Sequence, residues 1–578
     1  MDQQRPFLYL TLFFLGFLIW TTWQEDHAPK PVKPAGQIEL NSANSNSSNN
    51  GNSMPSGSSI STGAAVNNGG AVPVGNSVEN NDVQQIHIKT DVLDLIISTQ
   101  GGTVVQADLP THPVSLEEQD KATRIIDKEQ KYAAQSGLIY RGTDGSNLAP
   151  NHFANFSAPN TEYILQEGQN TLQVPLTWSN GNGLTVTKNF VFERGSFLVK
   201  QIQKVDNQTG NTWSGNEYLE LTHKKHSRKG SLLGGAIAYV GPAYYKNKYQ
   251  KIDFGDIEDG DLKDLTAAEL NALSDEEKEE RLIKGGWVAM LKHYFVSAWV
   301  PVKENENTYY TRIDKTKNNY IIGVKSPVMQ IDTGASGEFI SQLYVGPTDQ
   351  ASLAEISKGL DLTVDYGIFA FVSKPIFAVM SFINRNIVSN WGWTIILLTL
   401  FIKMIFFYPS AMSYKSMAKM KKFQPQIKAL GEKYKGDPQG KQKATMTLFK
   451  KEKINPLGGC LPMLIQMPVF MGLYWVIQES VELRQAPWML WYQDLSIMDP
   501  YFVLPLIMGA SMWLQQKLNP PAMQDPMQQK IFMYLPIVFT VMFLFFPAGL
   551  VLYWVVNSIL SIAQQWFINK KIIGDSLK

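Results

Sequence analysis

A lysine in the middle of a membrane-length apolar run constrains this chain more than any other feature. Residues 391–412 read WGWTIILLTLFIKMIFFYPSAM, and the nearest other cations are Arg385 before the run and Lys415 after it. A helix crosses the hydrocarbon core in about 20 residues at ~1.5 Å each. Lys403 lies twelve residues from Trp391 and twelve from Lys415, so roughly 18 Å of helix separates it from either end. Its stem can snorkel over only part of that distance. An ammonium at the centre of a span costs about 2.5–3.5 kcal/mol on insertion scales, which a hydrated cavity or a polar ligand would offset. The competing reading takes Tyr408 and Pro409 as headgroup markers and leaves Lys403 within snorkelling reach of the surface.

Six spans are expected. The first is an uncleaved anchor over 1–23, because the apolar run from Pro6 to Trp23 lacks a small-x-small cleavage site. The others fall at about 391–412, 457–478, 501–516, 531–547 and 549–568. Whole-chain charge is uninformative, with 52 Lys plus Arg against 51 Asp plus Glu; its distribution is not. Residues 415–453 carry twelve lysines against Glu432, Asp437 and Glu452, a net of +9, and should face the cytoplasm. Parity then places both termini inside. It places 479–500 outside, where Arg484 stands alone against Glu479, Glu482, Asp494 and Asp499. The apolar stretch 368–389 would break this parity as a span. Its Lys374, Ser381, Arg385 and Ser389 share one helical face, so an amphipathic helix in the interface is expected.

Composition divides the chain further. Residues 24–83 are dominated by Asn, Ser and Gly beyond Asn41 and should form a disordered tether. From 84 to 350 short alternating runs, such as QIHIKTDVLDLIIST and GLTVTKNFVF, with Asn-Gly turn signals at 180–183, predict an all-β sandwich. A helical insert is expected over 266–283. A linker with the interfacial helix follows over 351–390, then a five-span core over 391–578. Within it 414–453 forms a helical hairpin broken near Gly436, Asp437 and Pro438. The single cysteine, Cys460, excludes an intramolecular disulfide.

Polar residues recur inside the spans. Thr399 lies one turn before Lys403, and Tyr553, Asn557, Ser561 and Gln564 step along one face of the last span. Ser511 and Gln515 repeat the spacing, and Gln466 sits between Pro462 and Pro468. Taken singly, such residues glue helices together; together with a mid-span cation they favour a wet cavity. Three of the spans are short, which thins the bilayer locally. Seventeen of the 21 methionines fall between Met380 and Met542, and thioethers suit a surface that accepts many apolar partners.

Several strings resemble the YidC/Oxa/Alb family of membrane protein insertases in its Gram-negative form. They are NPLGGCLPMLIQMPVF (455–470), VELRQAP (481–487), DPMQQK (525–530), FPAGLVLYW (546–554) and SMAKM (416–420), with GGWVAMLKHYFVSAWVP (285–301) and LYVGP (343–347) in the β region. The resemblance implies a multi-domain membrane protein: a six-span helical bundle, a periplasmic supersandwich-like β domain and a cytoplasmic hairpin, in the bacterial inner membrane. It implies that Lys403 occupies the position of a single cation, often arginine, in a hydrophilic groove. It implies substrate contact at Thr399, Gln466, Met467, Phe470, Tyr553, Trp554 and Asn557. The basic residues Lys415, Lys419, Lys421 and Lys422 would dock cytoplasmic partners. The implied partners are nascent membrane proteins, the Sec translocon, the ribosome, the signal recognition particle receptor and lipid. No cofactor, metal, catalytic residue or specific nucleic acid sequence is expected.

Two other classes compete. A secondary transporter of a small solute would show related halves, and spans two and three do not repeat in the last three. An envelope enzyme would need a site in the β region, where His223, His226 and His293 are the candidates. Neither a nucleophile elbow nor a zinc-binding HExxH string is present.

Overall fold

The computed structural model describes residues 83–140, 149–225, 239–452, 461–518, 526–568 and 570, apart from 266, 275–276, 279–280 and 315–317. The expected anchor over 1–23, nearly all of the tether, His226 and Cys460 lie outside the described residues.

Alternating side chains build the N-terminal half. Gln85–Lys89 buries Ile86 and Ile88 and exposes the residues between them, as a period of two requires. Strands continue to Ser336–Pro347 and, among the described residues, form an eleven-stranded and an eight-stranded sheet. Ile86 and Leu95 of the first meet Phe190, Trp299 and Leu343 of the second in one buried core, which makes a two-layer β architecture. The hairpin joining Thr171–Ser179 to Leu184–Glu193 turns where the Asn-Gly pairs lie. Gly181 and Gly183 take φ of 74° and 94°. Asn180 Oδ1 accepts from the backbone N–H groups of Asn182 (2.8 Å) and Leu184 (3.0 Å).

Charges buried in this domain are partnered. Lys188 reaches across from the smaller sheet and donates to the carbonyls of Gly101 (2.6 Å) and Ser136 (3.0 Å). Arg312 grips Glu220 through two hydrogen bonds of 2.8 and 2.9 Å. Burial pushes the Glu220 carboxyl up, but the Arg312 charge and hydrogen bonds override it and hold it at about 2.

The insert differs from expectation. Ala267–Ala272 is helical, but Leu282–Lys284 is a strand paired with 306–308. Ile283 is buried in the sheet core, and that burial overrides the helix-favouring charged residues before it.

The C-terminal half is helical: α1 (Ala370–Asn386), α2 (Trp391–Ile405), α3 (Phe407–Lys422), α4 (Gln424–Lys433), α5 (Pro438–Lys451), α6 (Leu461–Glu479), α7 (Val503–Leu518), α8 (Pro526–Phe543) and α9 (Ala548–Phe567). Among the described residues, Gly367–Asn386 and Ala548–Phe567 are long and apolar enough to cross a membrane. A third span arises if Trp391–Ile405 and Phe407–Met417 are taken together, and these meet at 67°. The expected straight span over 391–412 is therefore broken. Pro409 has no N–H to offer the carbonyl of Ile405, so the hydrogen-bond ladder cannot run through. The stretch expected to lie in the interface also meets the length and composition of a span. Its Ser373, Ile376, Met380 and Ile383 face inward, while Lys374 and Arg385 are exposed.

In the basic segment the chain turns at Gly436, with φ of 96°. Asp437 then caps α5 by accepting from the N–H of Gly440 at 2.9 Å. A further break at Phe423 separates α3 from α4.

The two halves touch at the C-terminal end of α6. Arg484 donates to the carbonyls of Pro113 (2.6 Å) and Val114 (3.0 Å) and lies 5.5 Å from the Phe295 ring. The hydroxyls of Tyr366 and Ser480 are 3.0 Å apart.

Candidate functional site

Helix α2 starts at Asn390, whose side chain accepts from the N–H of Trp393 at 3.2 Å. It buries Ile395, Leu398 and Ile402 in the core that α9 shares. Lys403 follows in its last turn. It is 8% exposed, and its Nζ points to α9, where it donates to Ser561 Oγ at 2.7 Å. The Ser561 hydroxyl donates in turn to the carbonyl of Asn557 at 2.7 Å. Tyr414 of α3 is buried as well.

An ammonium carries three donors. Ser561 takes one, and no carboxylate or other acceptor meets Lys403 among the described residues. The break after α2 also matters. It puts Lys403 at a helix C-terminus, where carbonyl dipoles favour a cation by ~0.3–1 kcal/mol, and by up to ~2 when partly buried. The cost of placing the charge here is thus only partly offset by the protein.

One turn along α9, Asn557 faces Gln466 of α6. Their amides exchange two hydrogen bonds of 3.0 and 3.3 Å. A turn further, Trp554 meets Phe470 edge-on at 5.1 Å and Phe543 at 5.3 Å. These contacts tie α6, α8 and α9 together. Met467 is exposed beside them.

The structure therefore brings Lys403, Ser561, Asn557 and Gln466 into one polar seam between α2, α6 and α9, with Phe470 and Trp554 at its end. Two of the expected contact residues are enclosed. Thr399 is fully buried, and its hydroxyl donates to the Ile395 carbonyl at 2.7 Å. Tyr553 is also buried, and its hydroxyl meets no hydrogen-bond partner among the described residues. Neither is reachable from outside unless the helices part. Lys415 and Lys422 are exposed on α3, while the side chains of Lys419 and Lys421 lie outside the described part. Sequence reasoning missed Tyr414 and its buried neighbours Ser410 and Ser413. Their spacing of three and four is the signal, hidden when 391–412 is read as one helix.

Of the three candidate histidines in the β region, His226 lies outside the described residues and the other two meet backbone carbonyls. His223 Nδ1 lies 2.6 Å from the Lys224 carbonyl oxygen and packs against Tyr132. His293 Nε2 lies 3.1 Å from the carbonyl oxygen of Gln478. No group of three residues among those described could hold a metal ion.

Comparison with known proteins assigns the chain. Residues 85–379 match the YidC periplasmic domain, and 382–575 match the 60Kd inner membrane protein family. The membrane protein insertase YidC of Thioalkalivibrio sulfidiphilus is 44% identical over 99% of both chains. That of Pseudomonas fluorescens is 44% identical over 100% of both, and that of Methylococcus capsulatus is 42% identical over 99% of both. Among solved structures, an active YidC insertase aligns over 86% of this chain and 94% of its own, with 16% identity and a TM-score of 0.38. A putative aldose 1-epimerase from Escherichia coli aligns over 46% of this chain and 99% of its own, with 8% identity and a TM-score of 0.26. Neither structural score carries the assignment, which rests on the sequence matches. By those matches the chain belongs to the family of the membrane protein insertase YidC.

Proposed function

We propose that this protein inserts and helps fold nascent membrane proteins in the bacterial inner membrane, alone or with the Sec translocon, and that Lys403 receives the polar part of the client. Proteins of this family are insertases, not enzymes. One observation carries the role of Lys403: a buried ammonium turned toward α9 that meets, among the described residues, a single neutral acceptor for its three donors.

In this reading the client arrives from the cytoplasmic side along the basic segment 415–453, where ribosome and receptor dock near Lys415, Lys419, Lys421 and Lys422. Its short acidic outer segment enters between α2, α6 and α9, and the Gln466–Asn557 pair opens to meet it. Two unit charges ~4 Å apart attract by about 1 kcal/mol in water and about 4 at an effective dielectric of 20. A half-dehydrated seam therefore draws a carboxylate in without trapping it. The client's apolar helix leaves past Met467 and Phe470, driven by burial of apolar area at ~25 cal/mol per Å². The six-span topology, cytoplasmic termini and domain division over 84–350, 351–390 and 391–578 belong to the same proposal.

The test replaces Lys403 with Ala, Glu and Arg and measures insertion of a single-span client with an acidic outer tail. Arg should sustain insertion, and Ala and Glu should lose it. Equal activity of Glu and Arg would sink the electrostatic account.

A further inference from the structure

The loop between α6 and α7 has a surface unlike that of a water-exposed connection. Of its charged residues, Asp494 and Asp499 are buried, and Glu482 and Arg484 at its start are half-buried. Asp494 accepts from the backbone and hydroxyl of Ser496, at 2.8 and 2.6 Å. Asp499 accepts from the Tyr492 hydroxyl (3.1 Å) and from the backbone N–H groups of Tyr501 (3.1 Å) and Leu504 (2.8 Å). What faces outward instead is Met489, Leu490, Trp491, Met498, Tyr501 and Phe502, with Leu490 67% and Tyr501 66% exposed. Isolated exposed apolar residues are ordinary; a run of large ones on one loop marks a contact surface.

The loop is also held in one shape. Asn390 at the start of α2 donates to the carbonyls of Pro487 (3.0 Å) and Trp488 (3.2 Å). At the start of α9, the N–H groups of Ala548 and Gly549 donate to the carbonyls of Ile497 (2.7 Å) and Leu495 (2.9 Å). Leu490 and Phe502 take φ of 56°, a conformation that non-glycine residues adopt only when their surroundings impose it. The loop is thus braced against three helix N-termini, those of α2, α7 and α9.

We propose that residues 487–502 form a rigid wedge seated in the lipid of the periplasmic leaflet, at the headgroup–acyl boundary. Lipid is favoured over a protein partner by continuity. Tyr501 and Phe502 lead directly into the exposed Leu506, Ile507 and Trp513 of α7, an apolar helix face that the loop extends without a charged break. The mixture of Trp and Tyr with aliphatic side chains is that of membrane interfaces. The wedge would displace lipid beside the N-terminus of α9, on the side where a client's polar segment must emerge. It stands apart from the role assigned to Lys403 and survives if that role fails.

The experiment uses full-length protein in phosphatidylethanolamine–phosphatidylglycerol nanodiscs. Cys460→Ser removes the only cysteine, and spin labels are placed by Leu490→Cys or Met498→Cys. Leu506→Cys serves as the lipid control and Lys121→Cys on the exposed β surface as the water control. The expected result is high oxygen and low nickel-chelate collision at 490 and 498, close to the values at 506. Nickel access equal to that at 121 overturns the proposal. So does poor access of both reagents, which would mean that protein covers the loop. Trp491→Phe gives a second reading free of labels. It should lower the share of fluorescence quenched by lipids brominated near the headgroup, and an unchanged share refutes the wedge.

Discussion

Replacing Lys403 with Met should separate folding from function. The stem and its packing are largely kept, because Met is long and flexible. What goes is a charge in an apolar setting, worth ~2.5–3.5 kcal/mol against the fold. Lost with it are a charge-assisted hydrogen bond to Ser561, worth ~1.5–3 kcal/mol, and the helix-terminus term of ~0.3–1 kcal/mol. The terms nearly cancel, so stability should change by less than about 2 kcal/mol in either direction. Insertion of an acid-tailed client should nonetheless slow by roughly fivefold to several hundredfold, since an attraction of ~1–4 kcal/mol disappears. Reversible unfolding in mixed micelles measures the first quantity and proteoliposome insertion the second. A destabilisation above about 4 kcal/mol, with insertion falling only as far as the folded fraction, would show that Lys403 is a strut and refute the reasoning.

Other outcomes follow from the same geometry. Gln466→Leu leaves the Asn557 amide facing apolar side chains and should cost ~0.6–1.7 kcal/mol. Adding Asn557→Leu should recover most of that in a double-mutant cycle, and strict additivity would argue against the reciprocal pair. In the β domain, the folded-state pKa of Glu220 lies below the ordinary value of 4.5, at about 2. Its contribution is therefore complete above pH ~4.5 and lost as pH falls toward ~2. Trp299 donates to the Glu220 carbonyl at 3.1 Å, so its emission should follow this loss. Glu220→Gln should remove that pH dependence and cost ~3–5 kcal/mol by stranding Arg312. Gly392→Ala would place a Cβ 2.1 Å from Cδ1 of Trp488. The clash should cost ~1–3 kcal/mol and shift Trp488 emission; an unshifted spectrum would contradict the close packing of α2 against the loop.

The parts of the site that obey a simple period were readable in advance. Asn557 and Ser561 are four residues apart, and the structure joins them to Gln466 and Lys403 as their shared face suggests. The bend after α2 was not read, although Pro409 announces it. Within an apolar run that proline passes for a boundary marker, and only the missing N–H to Ile405 reveals a break. The loop between α6 and α7 misled in another way. Counting Glu479, Glu482, Asp494 and Asp499 yields a side of the membrane, but not which side chains meet solvent. The structure buries Asp494 and Asp499 and turns Leu490 and Tyr501 outward. The strand at Leu282–Lys284 was hidden because its pairing partner lies more than twenty residues away along the chain.

The bend also shortens a distance. Were 407–417 collinear with α2, those eleven residues would carry the chain ~16 Å onward; inclined at 67°, they carry it about 6 Å along that axis. Measured along the axis, Lys415 then stands about 10 Å from Lys403, instead of the ~18 Å of an unbroken rod. Along that axis the exposed start of the basic segment therefore comes about 8 Å closer to the buried amine than a straight helix would leave it, while the bend displaces it sideways by about 11 Å.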